Sequence, residues 1–247
     1  DEAEVIESIR MTGQRYGDQV RRVFLADGDA TVLPTRRLLT ILAAIREHMP
    51  AVRRISSYCL PRNLRKKSQQ EIDELAAAGL SMVYVGAESG DDRVLAAVNK
   101  GETFETTREA LDKLGAAGIT RSVMILNGLG GKVYTRQHAE NSARLANATQ
   151  PEYLATLVVS FPQGEQRFRA DFPEWEPLDQ HELFVEMEQF LSRLELKRTV
   201  FRSDHASNWL VLKGTLGADK ERLLAQVRQA IAAPAQAHLR PAWARGL

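Results

Sequence analysis

Apolar residues recur along this chain at two spacings, and the two alternate. Val5, Ile6 and Ile9 fall on one side of a helix predicted over residues 2–15. The run around Val23, Phe24 and Leu25 then predicts a short buried strand over 22–26. Leu38, Leu39, Leu42 and Ile45 form the apolar stripe of the next helix, opened by Pro34 and followed by Pro50. The alternation continues with a strand over 52–58, interrupted by Pro61, and a helix capped by Ser68 with Glu71 that ends near Gly79. A strand over 82–86, helices over 92–98 and 104–117, a strand over 120–126, a helix over 137–149 and a strand over 153–160 follow. This order predicts an α/β fold with a parallel sheet. Ala77-Ala78-Gly79-Leu80 and Ala116-Ala117-Gly118-Ile119 repeat one junction, with glycine where a helix hands over to a strand.

The pattern changes after Phe161. Residues 161–177 are rich in Pro, Gly, charge and aromatics, with Phe168, Phe172 and Trp175, and read as a long covering loop. Helices are predicted over 181–194 and 219–232, with a strand over 199–202 between them. The tail after Pro234 reads as mobile or draped.

Polar and glycine residues end the predicted strands. These ends are Asp27-Gly28-Asp29, Ser57-Tyr58, Glu88-Ser89-Gly90 and Asn127-Gly128-Leu129-Gly130-Gly131. Parallel strands in a βα array place their C-terminal ends on one rim, so the four segments are expected to form one polar site. Each also has a plain structural reading. Asp27-Gly28-Asp29 can grip an ammonium or a metal, or can be a tight turn in which Asp29 caps the next helix. Glu88 can accept hydrogen bonds from a ribose diol; alternatively it is a surface carboxylate, or Ser89 is a helix cap. Lys100 can pair with a ligand carboxylate or simply be solvated. The glycine cluster lacks the spacing of a dinucleotide fingerprint or a phosphate loop. It can seat a planar ring or be an ordinary loop. Residues 201–209, Phe-Arg-Ser-Asp-His-Ala-Ser-Asn-Trp, can complete a substrate pocket or form a turn that docks the C-terminal segment, and the structural role is favoured. His205 has no partner at metal-ligand spacing.

Composition narrows the class. The 247 residues suit one α/β barrel, or a domain with a small appendage. Hydrophobic content of 44% and charged content of 26% are those of a soluble globular chain. A formal charge of +1 gives no general pull toward nucleic acid or membrane. No apolar run approaches the ~18 residues that cross a bilayer, and no secretory signal is visible. Cys59 is the single cysteine, which excludes an internal disulfide and fits a reducing cytosol. A cytoplasmic location is therefore expected. The basic run over 62–67 fits either a nucleic-acid contact or a solvated helix surface.

Three stretches carry a family resemblance. Val23-Phe24-Leu25-Ala26-Asp27-Gly28-Asp29-Ala30-Thr31 resembles the second strand of radical S-adenosylmethionine (SAM) enzymes, where a Gly-Gly-Glu-type motif holds the methionyl ammonium. Val83-Tyr84-Val85-Gly86-Ala87-Glu88-Ser89-Gly90, followed by Val94-Leu95 and Asn99-Lys100-Gly101, resembles the fourth-strand segment of one branch. That branch contains elongator-type, methylthiotransferase and oxygen-independent coproporphyrinogen oxidase proteins. Residues 125–131 are similar to the fifth-strand segment beside adenine.

The resemblance implies a partial (β/α)6 TIM-like barrel lacking its first strand, over residues 1–162, with a mainly helical C-terminal extension over 163–247. It implies that SAM is bound by Asp27, Gly28, Asp29, Ser57, Tyr58, Glu88, Ser89, Lys100, Asn127 and Gly128. Glu88 would face the ribose and Lys100 the methionyl carboxylate. It further implies a [4Fe-4S] cluster, an electron donor such as flavodoxin or ferredoxin, and hydrogen abstraction by a 5'-deoxyadenosyl radical from a small or macromolecular substrate. The family's Cys-x3-Cys-x2-Cys is not here, and Cys59 cannot supply it. The expectation is that this segment lies upstream of Asp1. A cluster-free barrel lyase using rim carboxylates, and a non-catalytic nucleotide- or RNA-binding module, are the competing readings.

Overall fold

The alternation read from the sequence is realised in a computed structural model that describes residues 1–161 and 164–246. Along the chain run α1 (Glu2–Tyr16), β1 (Arg22–Leu25), α2 (Thr35–His48), β2 (Arg54–Cys59), α3 (Pro61–Leu64), α4 (Gln69–Ala78) and β3 (Leu80–Glu88). Next come α5 (Asp92–Ala97), α6 (Phe104–Ala116), β4 (Thr120–Asn127), α7 (Gly131–Thr149), β5 (Tyr153–Val158) and α8 (Gln166–Asp171). The described chain ends with α9 (Gln180–Arg193), β6 (Val200–Ser203), β7 (Leu212–Thr215) and α10 (Lys220–Ala232). The strands follow one another in chain order in a single seven-stranded open sheet. β1, β2 and β3 pair in parallel, as do β5 and β6, and β7 runs antiparallel to β6. The fold is thus the expected open α/β barrel type. The expected boundary between core and extension, at residues 162 and 163, lies outside the described residues.

Local chemistry sets the element ends. Capping boxes start α1 (Asp1 with Glu4), α4 (Ser68 with Glu71) and α9 (Asp179 with Glu182). Gly79 ends α4 at φ 114°, the left-handed cap that its place in the sequence suggested.

Several elements differ from expectation. β3 spans Leu80–Glu88, beyond the expected 82–86 at both ends. α7 starts at Gly131 and not at Gln137. The glycines there are demanded by crowding: a Cβ on Gly131 would lie 2.6 Å from the Trp175 ring. Pro61 does not merely interrupt a strand; it opens the short α3 at a first-turn position, where its missing N–H is harmless. The covering loop contains α8. The extension, expected to be mainly helical, adds β6 and β7 to the sheet. β7 escaped notice because Leu212-Lys213-Gly214-Thr215 has almost no apolar alternation. The tail is draped: Leu239 bridges Leu210, and the Arg240 N–H donates to the Trp209 carbonyl at 2.7 Å.

The chain divides into two compact units, the dividing lines passing through β3, α6 and β4. One comprises residues 1–85 with 109–122, and the other 86–108 with 123–247. In the first, Leu38, Leu42 and Ile45 of α2 and Ile72 and Leu75 of α4 are buried, as are Ile55 and Val83 of the sheet. In the second, α9 packs against α7 and α10, burying Leu183, Phe190, Leu191, Leu223 and Val227. There the covering loop folds into an aromatic cluster. Phe161, Phe168 and Trp175 have ring centroids 4.7–5.4 Å apart, and Phe172 stacks on Tyr134 at 5.6 Å. No helix among the described residues is long and apolar enough to cross a membrane.

Gly79→Ala should lower stability by about 1 kcal/mol or more, since a side chain at this φ is strained. Urea denaturation of the two proteins measures this, and equal midpoints would contradict it.

Candidate functional site

In the second unit the polar end of β3 makes a strained turn. Glu88 has φ 63°, and the Ser89 N–H donates to the Ala87 carbonyl at 2.8 Å. A three-residue turn closed this way over a positive-φ centre is the rare, strained form of the γ-turn. The Glu88 carboxylate Oε1 accepts from Lys100 Nζ at 2.9 Å, the two side chains being 21% and 16% exposed. Lys100 is brought round by the turn that ends α5. Asn99 (φ 52°) and Gly101 (φ 74°) are both left-handed, and the Lys100 N–H donates to the Leu95 carbonyl. Gly86 has no positive φ, yet a Cβ there would overlap Glu88 Oε1. Glycine at 86 therefore makes room for the carboxylate.

Ser89, counted among the ligand-binding candidates, is fully buried. Its Oγ accepts the Asp91 N–H at 3.0 Å and lies 2.8 Å from His138 Nδ1. Asp91 accepts from the Arg93 and Val94 N–H groups at the start of α5 and from the Gln137 and Asn141 amides of α7. Burial alone would raise the Asp91 pKa. The hydrogen bonds from Val94, Asn141, Gln137 and Arg93 outweigh it, and the carboxyl lies below its ordinary value.

Asn127 and Gly128 are buried as well. The Gly128 N–H donates to Glu186 Oε1 at 2.6 Å, and its carbonyl accepts from Trp175 Nε1 at 3.3 Å. The Asn127 carbonyl accepts the Val159 N–H at 2.9 Å. The glycine cluster is thus a packed junction and not an open loop. Sequence reasoning missed Glu186 and His138. Glu186 left a signal: it interrupts the buried stripe Leu183, Phe184, Met187, Phe190 and Leu191 of α9.

In the first unit, Asp27 (φ 62°) and Gly28 (φ 101°) form an exposed left-handed pair at the end of β1. Asp29 caps the 3-10 turn at 30–32. Its carboxylate accepts from the Thr31 N–H and hydroxyl, the Leu60 N–H and the Asn63 amide. Four donors fill a carboxylate's capacity, so the turn-clamp reading of Asp29 holds in this structure. Ser57 is buried, its hydroxyl donating to the Tyr58 carbonyl at 2.8 Å. Tyr58 is half-exposed, with its ring 5.0 Å from Phe24 and 6.2 Å from Tyr84. The basic run is not wholly solvated. Lys67 is buried and donates to the Leu33 carbonyl at 2.7 Å.

The 201–209 segment takes the structural role that the sequence favoured. Ser207 Oγ accepts the Val158 N–H, and the Asn208 amide donates to the Thr156 carbonyl. Arg240 and Arg245 from the tail donate to the carbonyls of Asp204, His205, Ser207 and Asn208. Arg245 also stacks 3.9 Å over Trp209, and both line an open groove of about 670 Å³ with Phe161, Leu178 and Leu183.

The residues present do not fit an iron–sulfur cluster. Cys59 is buried against the Thr31 hydroxyl, and no group of three His, Cys, Asp or Glu among the described residues could hold a metal ion.

Parallel strands and alternating helices, with glycine and acid at the strand ends, define an open α/β barrel. A sequence profile of the radical SAM superfamily matches residues 1–146, more than half of the 247. The chain belongs to the radical SAM superfamily. Among curated proteins none matches it. Solved structures are similar in fold. Coproporphyrinogen III oxidase (HemN) from Escherichia coli, a radical SAM enzyme, has TM-score 0.59 at 16% identity, over 78% of this chain and 46% of that one. Elp3 from the archaeon Methanocaldococcus infernus has TM-score 0.56 at 14% identity, over 92% and 58%. The radical SAM methyltransferase TsrM from Kitasatospora setae, with cobalamin and a [4Fe-4S] cluster bound, has TM-score 0.51 at 20% identity, over 63% and 28%. The chain therefore spans less than two thirds of each.

Asp91→Asn should destabilise the protein by about 1–3 kcal/mol at neutral pH, by leaving buried donors mismatched. The folded pKa of Asp91 is depressed, so its contribution is complete above the unfolded value near 3.8 and is lost as pH falls through the lower folded value. Denaturation midpoints of the two proteins should converge in strong acid. A gap that is constant with pH would contradict this.

Proposed function

We propose that the chain is the SAM-binding part of a radical SAM enzyme, which cleaves SAM reductively to start hydrogen abstraction from a substrate. The observation that carries the reading is the strained Glu88 turn with its Lys100 partner. A partly exposed ion pair contributes about 0–1 kcal/mol. Holding a non-glycine residue at such a φ costs about 1–3 kcal/mol. The pair does not offset the strain, so stability alone gives no reason for this geometry. A carboxylate and an ammonium presented together on a strained turn suit a ligand with a diol and a carboxylate, as the ribose and methionyl ends of SAM provide.

In this reading Glu88 Oε1 stays with Lys100, and the second carboxylate oxygen accepts from the ribose hydroxyls. Lys100 turns a further N–H toward the methionyl carboxylate. Ser89 and Gly128 serve the ligand by holding backbone in place, since their polar groups are engaged within the protein, and Asn127 does so through its carbonyl, which accepts the Val159 N–H. For the first unit, we assign the methionyl ammonium to Asp27-Gly28-Asp29, with Asp27 as the carboxylate left exposed. The half-exposed Tyr58 is the member of the Ser57-Tyr58 pair open to a ligand. The cluster, and an electron donor such as flavodoxin or ferredoxin, belong to the same reading. The cluster's ligands would have to come from outside these 247 residues, and no step is drawn through it.

The test is calorimetric binding of S-adenosylhomocysteine to the protein and two variants. Glu88→Ala removes the carboxylate, and Gly86→Ala displaces it by filling the space it occupies. Both should bind roughly tenfold more weakly or worse while melting cooperatively, because each loses a charge-assisted hydrogen bond. Wild-type affinity in both variants would remove Glu88 from the site, and no binding by the wild type would overturn the reading.

A further inference from the structure

Glu186, His138 and Ser89 form a buried polar line through the second unit, and Glu186 and His138 belong to none of the motifs read from the sequence. Glu186 is 2% exposed, His138 1% and Ser89 0%. Oε1 of Glu186 accepts the Gly128 N–H at 2.6 Å, and Oε2 accepts the Thr135 hydroxyl at 2.7 Å. His138 Nε2 lies 4.0 Å from Oε1. On the other side of the ring, Nδ1 lies 2.8 Å from Ser89 Oγ. Ser89 Oγ accepts the Asp91 N–H and keeps both a hydrogen and a second lone pair for Nδ1, so the ring tautomer decides which of the two donates. In the tautomer with its N–H on Nε2, that N–H faces Glu186.

A core built for stability alone would avoid this carboxylate. Its neighbours on the inner face of α9 are leucine, methionine and phenylalanine, and an apolar side chain there would carry no desolvation cost. What the carboxylate does is hold the backbone of Gly128 (φ 81°) from one side while Trp175 Nε1 holds the Gly128 carbonyl from the other. The same line reaches Ser89, the residue that closes the strained turn over Glu88.

We infer that Glu186 is a positioning residue: it sets the Asn127–Gly128 segment and, through His138 and Ser89, couples that segment to the turn that presents Glu88. The ligand part of this inference rests on the SAM-binding reading above. The clamp on Gly128 rests on the geometry alone. Displacing Glu186 therefore alters two things at once, the environment of Trp175 and the affinity of the Glu88 turn for its ligand.

The experiment uses the intact protein with Trp209 and Trp243 replaced by phenylalanine, so that Trp175 is the one indole of the three. Glu186→Met removes the acceptor of the Gly128 N–H; Glu186→Gln keeps it. Glu186→Met should shift Trp175 emission and weaken S-adenosylhomocysteine binding roughly tenfold, the loss expected when a hydrogen bond to a charged group is removed. Glu186→Gln should restore both readouts, a rescue that a packing role would not give. His138→Phe should weaken binding, and its effect combined with Glu186→Met should be less than additive. Should Glu186→Met fail to melt cooperatively, Thr135→Val removes one of the two donors to the carboxylate and is read the same way. Unshifted emission with unchanged affinity overturns the inference. If the parent protein binds no S-adenosylhomocysteine, the ligand part falls with the SAM-binding reading. The emission arm then decides the clamp, unshifted emission ending it and shifted emission supporting it.

Discussion

The second unit depends on a backbone held where it would not rest by itself. Glu88 sits at positive φ at the end of β3, and its neighbours keep it there. Ser89 is buried and hydrogen-bonded on both sides, Gly90 donates its N–H to Ser142 Oγ, and Asp91 is fastened to α5 and α7. Three consecutive residues after Glu88 are thus tied into the interior of the unit. The Glu88 side chain is left to face Lys100, in space that Gly86 keeps free. The strain is local and its restraints are many, which is how a fold keeps such a turn populated.

The helix–strand alternation was readable because amphipathic stripes and capping residues are local signals. α4 shows this well: Ser68 with Glu71 marks its start and Gly79 its end, and all three do in space what their spacing suggests. The candidate motifs Asp27-Gly28-Asp29 and Glu88 with Lys100 stood out because they lie in short stretches resembling one family, and Glu88 does pair with Lys100. What could not be read was the allocation of polar groups between protein and ligand. Asp29 is saturated by donors from its own turn and from residues 60 and 63, which the sequence could not place beside it. Gly128 is gripped by Glu186 and Trp175, tens of residues further on; Glu186 shows in its own helix as a break in the apolar stripe, with nothing to name its partner. Such long-range pairings leave no periodicity behind them.

Membership of the radical SAM superfamily fits this division of labour. The cofactors in such enzymes carry the difficult bond cleavage, and the protein supplies position and shielding. Around Glu88 and Gly128 this chain is held by backbone geometry more than by side chains that reach out. Glycines at 86, 128 and 131 permit close approach, and buried polar groups on α7 and α9 hold that approach still. The aromatic cluster of Phe161, Phe168, Phe172 and Trp175 meets the glycine junction through Trp175, whose Nε1 donates to the Gly128 carbonyl.

The most direct measurement is a crystal structure of the chain grown with S-adenosylhomocysteine. The account predicts ribose hydroxyls within hydrogen-bond distance of the Glu88 carboxylate, with Glu88 still at positive φ and Lys100 beside the ligand carboxylate. A nucleoside bound elsewhere, with the Glu88–Lys100 pair untouched, would contradict it.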